Sequence, residues 1–411
     1  MIDLKALLDK NKFSRIKKYL FKRGVREEEL FQIKEKLEKK LELINKLNKL
    51  RNQRKISSKK NSSEEIKKNV KKTKEEITDH NQKLKGITEE LFLLASRLPN
   101  IPKNNTPENQ KGNKEIKKIY FSHSILHNLP HQKVIQRLNL IDEEKSTILS
   151  GNKFVVYQKE GSTLLHGLII FLLNKNKKKG YRVFDAPYIV DKKNLFNTGQ
   201  LPKFEKDLYL IKNSNLSLIP TSEVSLVNLY QQEIIREKDL PIKLSSYSPC
   251  FRAESGASGQ KSKGLIRLHQ FHKVEIIQIV HPNKSNKALR EMVKTASGIL
   301  KTLKISHRIV DLCYEELGVA AAKTLDIEVW LPVTKKWLEI SSCSNCTDFQ
   351  TRRANIKILE ENRKKIFAHS LNASSLAIDR LILTLCEYYY EEKENRLLLP
   401  KSLNKYLKLL N

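Results

Sequence analysis

Two neighbouring stretches carry residue types whose spacing could do chemistry. In Cys250-Phe251-Arg252-Ala253-Glu254 and in Gly264-Leu265-Ile266-Arg267-Leu268-His269-Gln270-Phe271-His272-Lys273-Val274-Glu275, apolar and charged residues alternate on either side of a polar, glycine-bearing gap. Alternation predicts two strands of a hairpin with a long loop over 255–263 at its tip. Residues two apart on a strand share a side, so arginines, carboxylates and an aromatic ring project from one pleated face. A planar guanidinium grips a phosphate with two parallel hydrogen bonds, and an aromatic ring opposite an arginine plane sandwiches a flat purine. Such a set outlines a nucleotide site. An isolated Arg-x-Glu is better explained by an amphipathic hairpin whose charges face water, so the inference rests on the whole string.

That string resembles the second signature motif of class II aminoacyl-tRNA synthetases, and its second half is similar to that of seryl-tRNA synthetases. Leu218-Ile219-Pro220-Thr221-Ser222-Glu223-Val224, Glu339-Ile340-Ser341-Ser342-Cys343-Ser344-Asn345, Asp348-Phe349-Gln350-Thr351-Arg352-Arg353 and Asn372-Ala373-Ser374-Ser375-Leu376-Ala377-Ile378-Asp379-Arg380 follow in that family's order. The helix expected from Leu164 to Lys178 and the strand from Gly180 to Val190, with Pro187, resemble the first class II motif, whose helix and strand build the dimer interface in the family. The resemblance implies a homodimer that activates L-serine with ATP as seryl-adenylate and transfers serine to the 3' end of tRNA(Ser). Members of the family also charge tRNA(Sec) with serine. Two competing readings are an enzyme of the same fold that loads an amino acid on a carrier protein and a catalytically impaired tRNA-binding homologue. The helical arm described below argues against the first, and retention of Arg252, Glu275 and Arg380 against the second.

Activation of an amino acid needs no general base, because the attacking carboxylate is already ionised; the catalyst must hold two anions in line and neutralise charge growing on the phosphates. Arginines and a hard, oxygen-seeking Mg2+ suit that task. The resemblance implies Arg252 on the α-phosphate, Arg380 towards the γ-phosphate, and Ala253, Glu254, Arg267, Phe271, Glu339, Ile340, Ser341 and Ser342 around ATP, with Glu339 and Ser342 holding the metal. It places Thr221, Ser222, Glu223, Arg252, Glu275, Asn372 and Ser374 around serine. A pocket cannot reject alanine on bulk, but buried groups that need a hydroxyl discriminate by roughly 10⁴ when it is missing. Thr221 or Ser222, and Ser374, could instead cap following helices, and both roles can hold together.

The third motif departs from the family pattern at Ala373, Ser375 and Asp379. Side chains where the family has glycine would narrow the pocket, and Asp379 could compete for the neighbouring Arg380 guanidinium.

Composition bounds the reading. A chain of 411 residues with 39% hydrophobic content can bury a sizeable core in two domains. A formal net charge of +32 favours a polyanionic partner, although lysine-rich composition on solvated faces explains part of it. No run of 18 apolar residues occurs and no apolar signal core opens the chain, which predicts a soluble cytoplasmic protein with no membrane partner. Five scattered cysteines suggest a reducing compartment. Cys343 and Cys346 have metal-ligand spacing, but the only partners by spacing, His123, His127 and His131, lie far upstream around Pro130, so no zinc is expected.

Elements to position these residues follow from periodicity. Leu30, Ile33, Leu37, Leu41, Ile44 and Leu47, then Ile66, Val70, Ile77, Leu84, Ile87, Leu91, Leu94 and Leu98, give one narrow apolar stripe per helix. Two helices over 27–98 are expected to fold back as an antiparallel coiled coil, each about 30 residues or on the order of 45 Å long. A polar break at 56–63 separates them, with Ser62 or Ser63 as cap. Coiled coils commonly oligomerise, but Lys59, Lys60, Lys67, Lys68, Lys71 and Lys72 crowd the tip and suit sequence-independent phosphate contacts. The resemblance implies that this arm reaches across the dimer to the long variable arm of the tRNA. Domains are expected at 1–106 (tRNA binding) and 107–411 (catalysis). Helices are expected at 164–178, 222–238, 284–303 and 375–391, and strands at 207–219, 247–254, 265–280, 325–333 and 336–343. Sheet with segregated helices is an α+β class, here an antiparallel class II catalytic sheet flanked by helices.

Overall fold

The computed structural model describes residues 1–57, 64–108, 112–255 and 264–408, which form two units, Met1–Ile101 and Pro102–Asn411. In the first unit, Asp9 caps α1 (Lys10–Phe21), a helix not anticipated from the pattern. The expected hairpin is present as α2 (Glu27–Ser57) and α3 (Glu64–Ser96). Three glutamates open α2, where the helix dipole favours negative charge. An ion pair joins Lys36 to Glu90, and Arg51 donates to Asn81 Oδ1 at 3.3 Å. Numbers rise on one helix as they fall on the other, so the pair is antiparallel. Leu30, Ile33, Leu37 and Leu47 are buried against a face that includes Ile77 and Leu91, whereas Leu41 is 38% exposed. A straight helix drifts relative to a strict heptad, and Leu41 falls at the edge of a seam only two helices wide. The expected caps Ser62 and Ser63 lie outside the described residues.

The second unit is organised by an eight-stranded sheet. Its strands in chain order are β1 (Lys114–Ile119), β2 (Arg182–Val183), β3 (Ile242–Phe251), β4 (Gln270–Val280), β5 (His307–Asp311), β6 (Lys323–Leu331), β7 (Lys336–Thr347) and β8 (His369–Ala377). Their spatial order is β1-β5-β6-β7-β8-β4-β3-β2, antiparallel throughout except for the pair β2 and β3. Against one face pack α4 (Lys159–Lys177), α6 (Ser285–Thr302) and α7 (Ile378–Tyr389), and Leu168, Phe171, Leu172, Leu300 and Leu381 are fully enclosed there. No helix among the described residues is long and apolar enough to cross a membrane.

Several expected elements differ. The hairpin strands end at Phe251 and resume only at Gln270, so Arg252, Glu254 and Arg267 lie outside the pleated face expected to carry them. The helix over 222–238 is only α5 (Glu223–Asn228), because Gln232 turns left-handed (φ 65°) and Ile234–Arg236 becomes a strand parallel to Lys357–Leu359. Over 207–219 only Leu216–Leu218 is strand. The helix over 375–391 begins at Ile378, since β8 stays paired with β4 through Ala377↔Lys273. Ser374 therefore lies within a strand and caps nothing. Thr221 does bond the start of α5, its Oγ1 accepting from the Glu223 amide at 3.2 Å.

Of the residues that depart from the family's third motif, Ala373 and Ser375 turn away from the site they were expected to crowd, whereas Asp379 lines the cleft. Ala373 is in the core, and Ser375 donates to Asn176 Oδ1 at 2.9 Å. Asn176 in turn donates to Ser245 Oγ at 3.0 Å, and Ser245 donates to the Glu275 carbonyl at 3.0 Å. All three side chains are buried, so each polar atom depends on its partner. Replacing Ser375 by alanine orphans the Asn176 oxygen and should cost about 1–3 kcal/mol in urea unfolding.

Candidate active site

On the sheet face opposite the helices, alternate residues of three central strands open into a cleft of about 1220 Å³: Lys273 and Glu275 from β4, Ser342, Ser344 and Cys346 from β7, Asn372 and Ser374 from β8. Their intervening neighbours Val274, Ile276, Cys343, Leu371 and Ala373 point into the core. Period-two geometry thus sorts a polar site from an apolar core along the same strands.

The cleft also collects Thr221, Glu223, Arg252, Glu254, Arg267, Phe271, Glu339, Ile340 and Arg380. Three expected site residues do not line it. Ser222 and Ser341 are buried, Ser341 donating to the Ser374 carbonyl at 2.6 Å, and Ala253 contributes its amide to the Asp207 carbonyl at 2.9 Å. On α3, Lys68, Lys71 and Lys72 are exposed; Lys67 lies on the same helix, and Lys59 and Lys60 lie outside the described residues, as does most of the 255–263 loop.

At the nucleotide-like end, the Arg252 guanidinium stands 5.0 Å above the Phe271 ring and its Nε donates to the Pro220 carbonyl at 3.4 Å. Arg267 Nε donates to Glu254 Oε2 at 2.5 Å, with Glu254 in the left-handed region (φ 50°) as the chain enters the loop. Arg380 donates to the carbonyls of Ile266 at 3.3 Å and Glu339 at 2.7 Å, with Glu339 Oε2 at 3.5 Å. Its neighbour Asp379 does not compete for it: Asp379 accepts from Tyr157 Oη and the His272 amide, both at 2.6 Å. Burial raises the Asp379 pKa, and those donors with His272 oppose the shift.

The other end is a small polar pocket. Lys273 and Glu275 form an ion pair at 2.5 Å, and Lys273 Nζ also donates to Thr221 Oγ1 at 2.9 Å. Thr221 in turn donates to Glu275 Oε2 at 3.4 Å. Glu223 Oε1 accepts from Gln350 Nε2 at 2.5 Å and from Asn372 Nδ2 at 2.9 Å, and Gln350 Oε1 accepts from Ser370. Burial pushes the Glu223 pKa up to about 7; repulsion from Glu275 adds to this, and Gln350, Lys273 and Arg252 oppose it. Beside Ser342, paired across the strands, stands Asp326, pushed up to about 8 by burial and then by repulsion from Glu339. Among the described residues its Oδ1 has no hydrogen-bond partner.

Lys273, Gln350, Asp207 and Asp326 were missed as site residues. Lys273 and Gln350 lie within the motif strings, and Lys273 shares a strand face with Glu275. Asp207 and Asp326 are reached only by tertiary contact, Asp207 Oδ1 accepting from the Ser255 amide and hydroxyl at 2.9 and 2.8 Å. Cys346 Sγ accepts from Asn372, and burial pushes its thiol well up, while Cys343 is pushed up to about 12 on the opposite face. Among the described residues no three His, Cys, Asp or Glu side chains are grouped to hold a metal unaided.

Comparison with known proteins gives the same reading over the whole chain. Residues 1–102 match the family model for the seryl-tRNA synthetase N-terminal domain, and residues 203–389 match that for the class II tRNA synthetase core domain of the G, H, P, S and T types. A serine–tRNA ligase of Nautilia profundicola is 41% identical, covering 99% of this chain and 100% of that one. Another, from Nitratiruptor, is 40% identical over 99% and 100%. A solved seryl-tRNA synthetase of Pyrococcus horikoshii, complexed with ATP, superposes with a TM-score of 0.92 at 28% identity, covering 99% of this chain and 98% of that one.

The charge state of Glu223 is open to test without any ligand. Its folded pKa, about 7, lies above the ordinary glutamate value of 4.5, so its contribution to stability is present below the lower value and lost as pH rises to the upper one. Glu223→Gln, which cannot ionise, should gain on the native chain by on the order of 2 kcal/mol between about pH 5 and pH 8 in urea unfolding.

Proposed function

The chain belongs to the seryl-tRNA synthetase family and is a serine–tRNA ligase that activates serine with ATP and charges tRNA, and on that premise we propose the division of labour among its residues. One observation carries it: a single cleft joins an arginine-and-ring end to a small pocket holding two carboxylates and a buried lysine.

In the first step a carboxylate oxygen of serine bonds to the α-phosphorus of ATP, and the bond to the bridging oxygen of the β-phosphate breaks with its electron pair leaving on pyrophosphate. Arg252, at the junction of the two ends, holds both anions and takes up charge on the α-phosphate. Phe271, Arg267 and Glu254 bind the adenine and the bent triphosphate, and Arg380 meets its far end. The Arg252, Arg267 and Arg380 side chains are held by protein partners before ligand arrives, so little reorganisation is left for the reaction.

Thr221, Glu223, Glu275, Asn372 and Ser374 enclose serine. Its ammonium is matched by the carboxylates and its hydroxyl by groups that alanine would leave desolvated. In the second step the 3'-terminal adenosine hydroxyl of tRNA attacks the acyl carbon, and AMP leaves. Glu339 and Ser342, with the unpartnered Asp326 oxygen nearby, are an all-oxygen donor set suited to Mg2+, with phosphates and water completing it. Mg2+ supplies charge neutralisation on the phosphates.

Residues 1–106 bind tRNA through the lysines of the arm, and residues 107–411 carry the chemistry. We assign a cytoplasmic homodimer, supported by exposed apolar residues on and near the edge strand, Ile116 and Tyr120 among them. A tRNA(Sec) bearing the same long variable arm fits the same charge-based contact.

Arg252→Ala should lower serine-dependent ATP–pyrophosphate exchange by at least about 10³-fold, with tRNA affinity in filter binding within about threefold of the parent; unchanged exchange would remove Arg252 from this role. Deleting 57–74 should raise the KM for tRNA by at least about tenfold while exchange survives. Loss of exchange as well would make the arm a folding element.

A further inference from the structure

Lys273 has no role in the division of labour above, yet it is among the more deeply enclosed cations of the cleft. It is 7% exposed and its ion-pair partner Glu275 is 2% exposed. Burying a lysine is costly unless its charge and protons are matched. Its matches are specific: Nζ lies 2.5 Å from Glu275 Oε2 and 2.9 Å from Thr221 Oγ1.

The hydrogen-bond pattern decides where the Thr221 proton goes. Thr221 Oγ1 accepts from Lys273 and from the Glu223 amide, so its one proton is directed to Glu275 Oε2. Glu275 Oε2 is then committed to Lys273 and Thr221, which leaves its other oxygen towards the cleft that Glu275 lines. Charge follows the same logic. Two carboxylates, Glu223 and Glu275, approach closely enough to repel, and Lys273 opposes that repulsion at Glu223. Arg252 opposes it as well, so two carboxylates face one lysine and one arginine, the arginine being the group assigned to the substrate's anions.

We propose that Lys273 is a positioning residue for serine selection: it fixes the Glu275 carboxylate and the Thr221 hydroxyl proton so that the free Glu275 oxygen receives the substrate hydroxyl. This rests on the reading of the pocket as the serine site. Lys273 acts through Glu275 and Thr221, so its removal loosens recognition of serine and leaves that of ATP alone.

The test is ATP–pyrophosphate exchange on the full-length protein with serine and alanine as amino acids, for Lys273→Met, Glu275→Gln and the double variant. Lys273→Met should raise the KM for serine by at least about thirtyfold, keep the KM for ATP within about twofold, and shrink the preference for serine over alanine. In the Glu275→Gln background the same change should add less than about threefold, because the group through which it acts is already altered. A serine KM within about threefold of the parent in Lys273→Met, or an equal full penalty in both backgrounds, overturns the proposal. If Glu275→Gln itself leaves the serine KM unchanged, the serine-pocket reading fails; if Glu275→Gln impairs serine binding and Lys273→Met does not, only this inference fails. Thermal unfolding monitors integrity, and Lys273→Gln carries the same expectations if the methionine variant does not fold.

Discussion

Val274 and Ile276 are fully buried in the core while Lys273 and Glu275, one step away on the same strand, face the cleft. That alternation on β4 is the constraint on which the rest of the catalytic unit depends. A one-residue slip would move the charged pair into the apolar core and the apolar pair into the cleft, so the register is fixed by both the core and the site. The ladder carries the constraint outward: Ser374 pairs with Glu275 and Asn372 with Ile277, and β7 continues it through Ser344↔Asn372. Site residues far apart in sequence therefore share one surface because each strand obeys the same period.

Holding so many charges in one cleft calls for partners. Arginines stack on a ring, pair with a carboxylate or donate to carbonyls; the carboxylates of the pocket are bound by lysine, glutamine, asparagine and threonine. Each such network costs little once every member is satisfied and a great deal when one is removed. Preorganisation of this kind suits a reaction whose main difficulty is electrostatic. The departures in the third motif fit the same account, since Ser375 spends its hydroxyl on Asn176 and Asp379, at the cleft wall, spends its carboxylate on Tyr157 and His272.

The arm follows different physics. Its helices bury one narrow stripe and leave lysines such as Lys68, Lys71 and Lys72 in solvent, where they can meet phosphates without base readout. Affinity arising in this way weakens with salt, whereas the enclosed interactions of the cleft are screened far less.

Much of this was legible in the residues alone. The two long helices and the α+β class followed from periodicity, which is a local property, and the cleft residues Arg252, Glu275, Asn372 and Arg380 from the resemblance of their motif strings to the family's. Tertiary pairing decided what locality could not. The strand pairing of β8 with β4 kept residues 375–377 out of a helix, and the face on which Ala373 and Ser375 lie showed that they do not crowd the pocket. Asp207 and Asp326 joined the site only through contacts between distant segments. The sequence by itself determined which side chains alternate and which elements they favour; only the tertiary structure decided their partners, because hydrogen bonds and ion pairs form between strands whose neighbours the local pattern does not name.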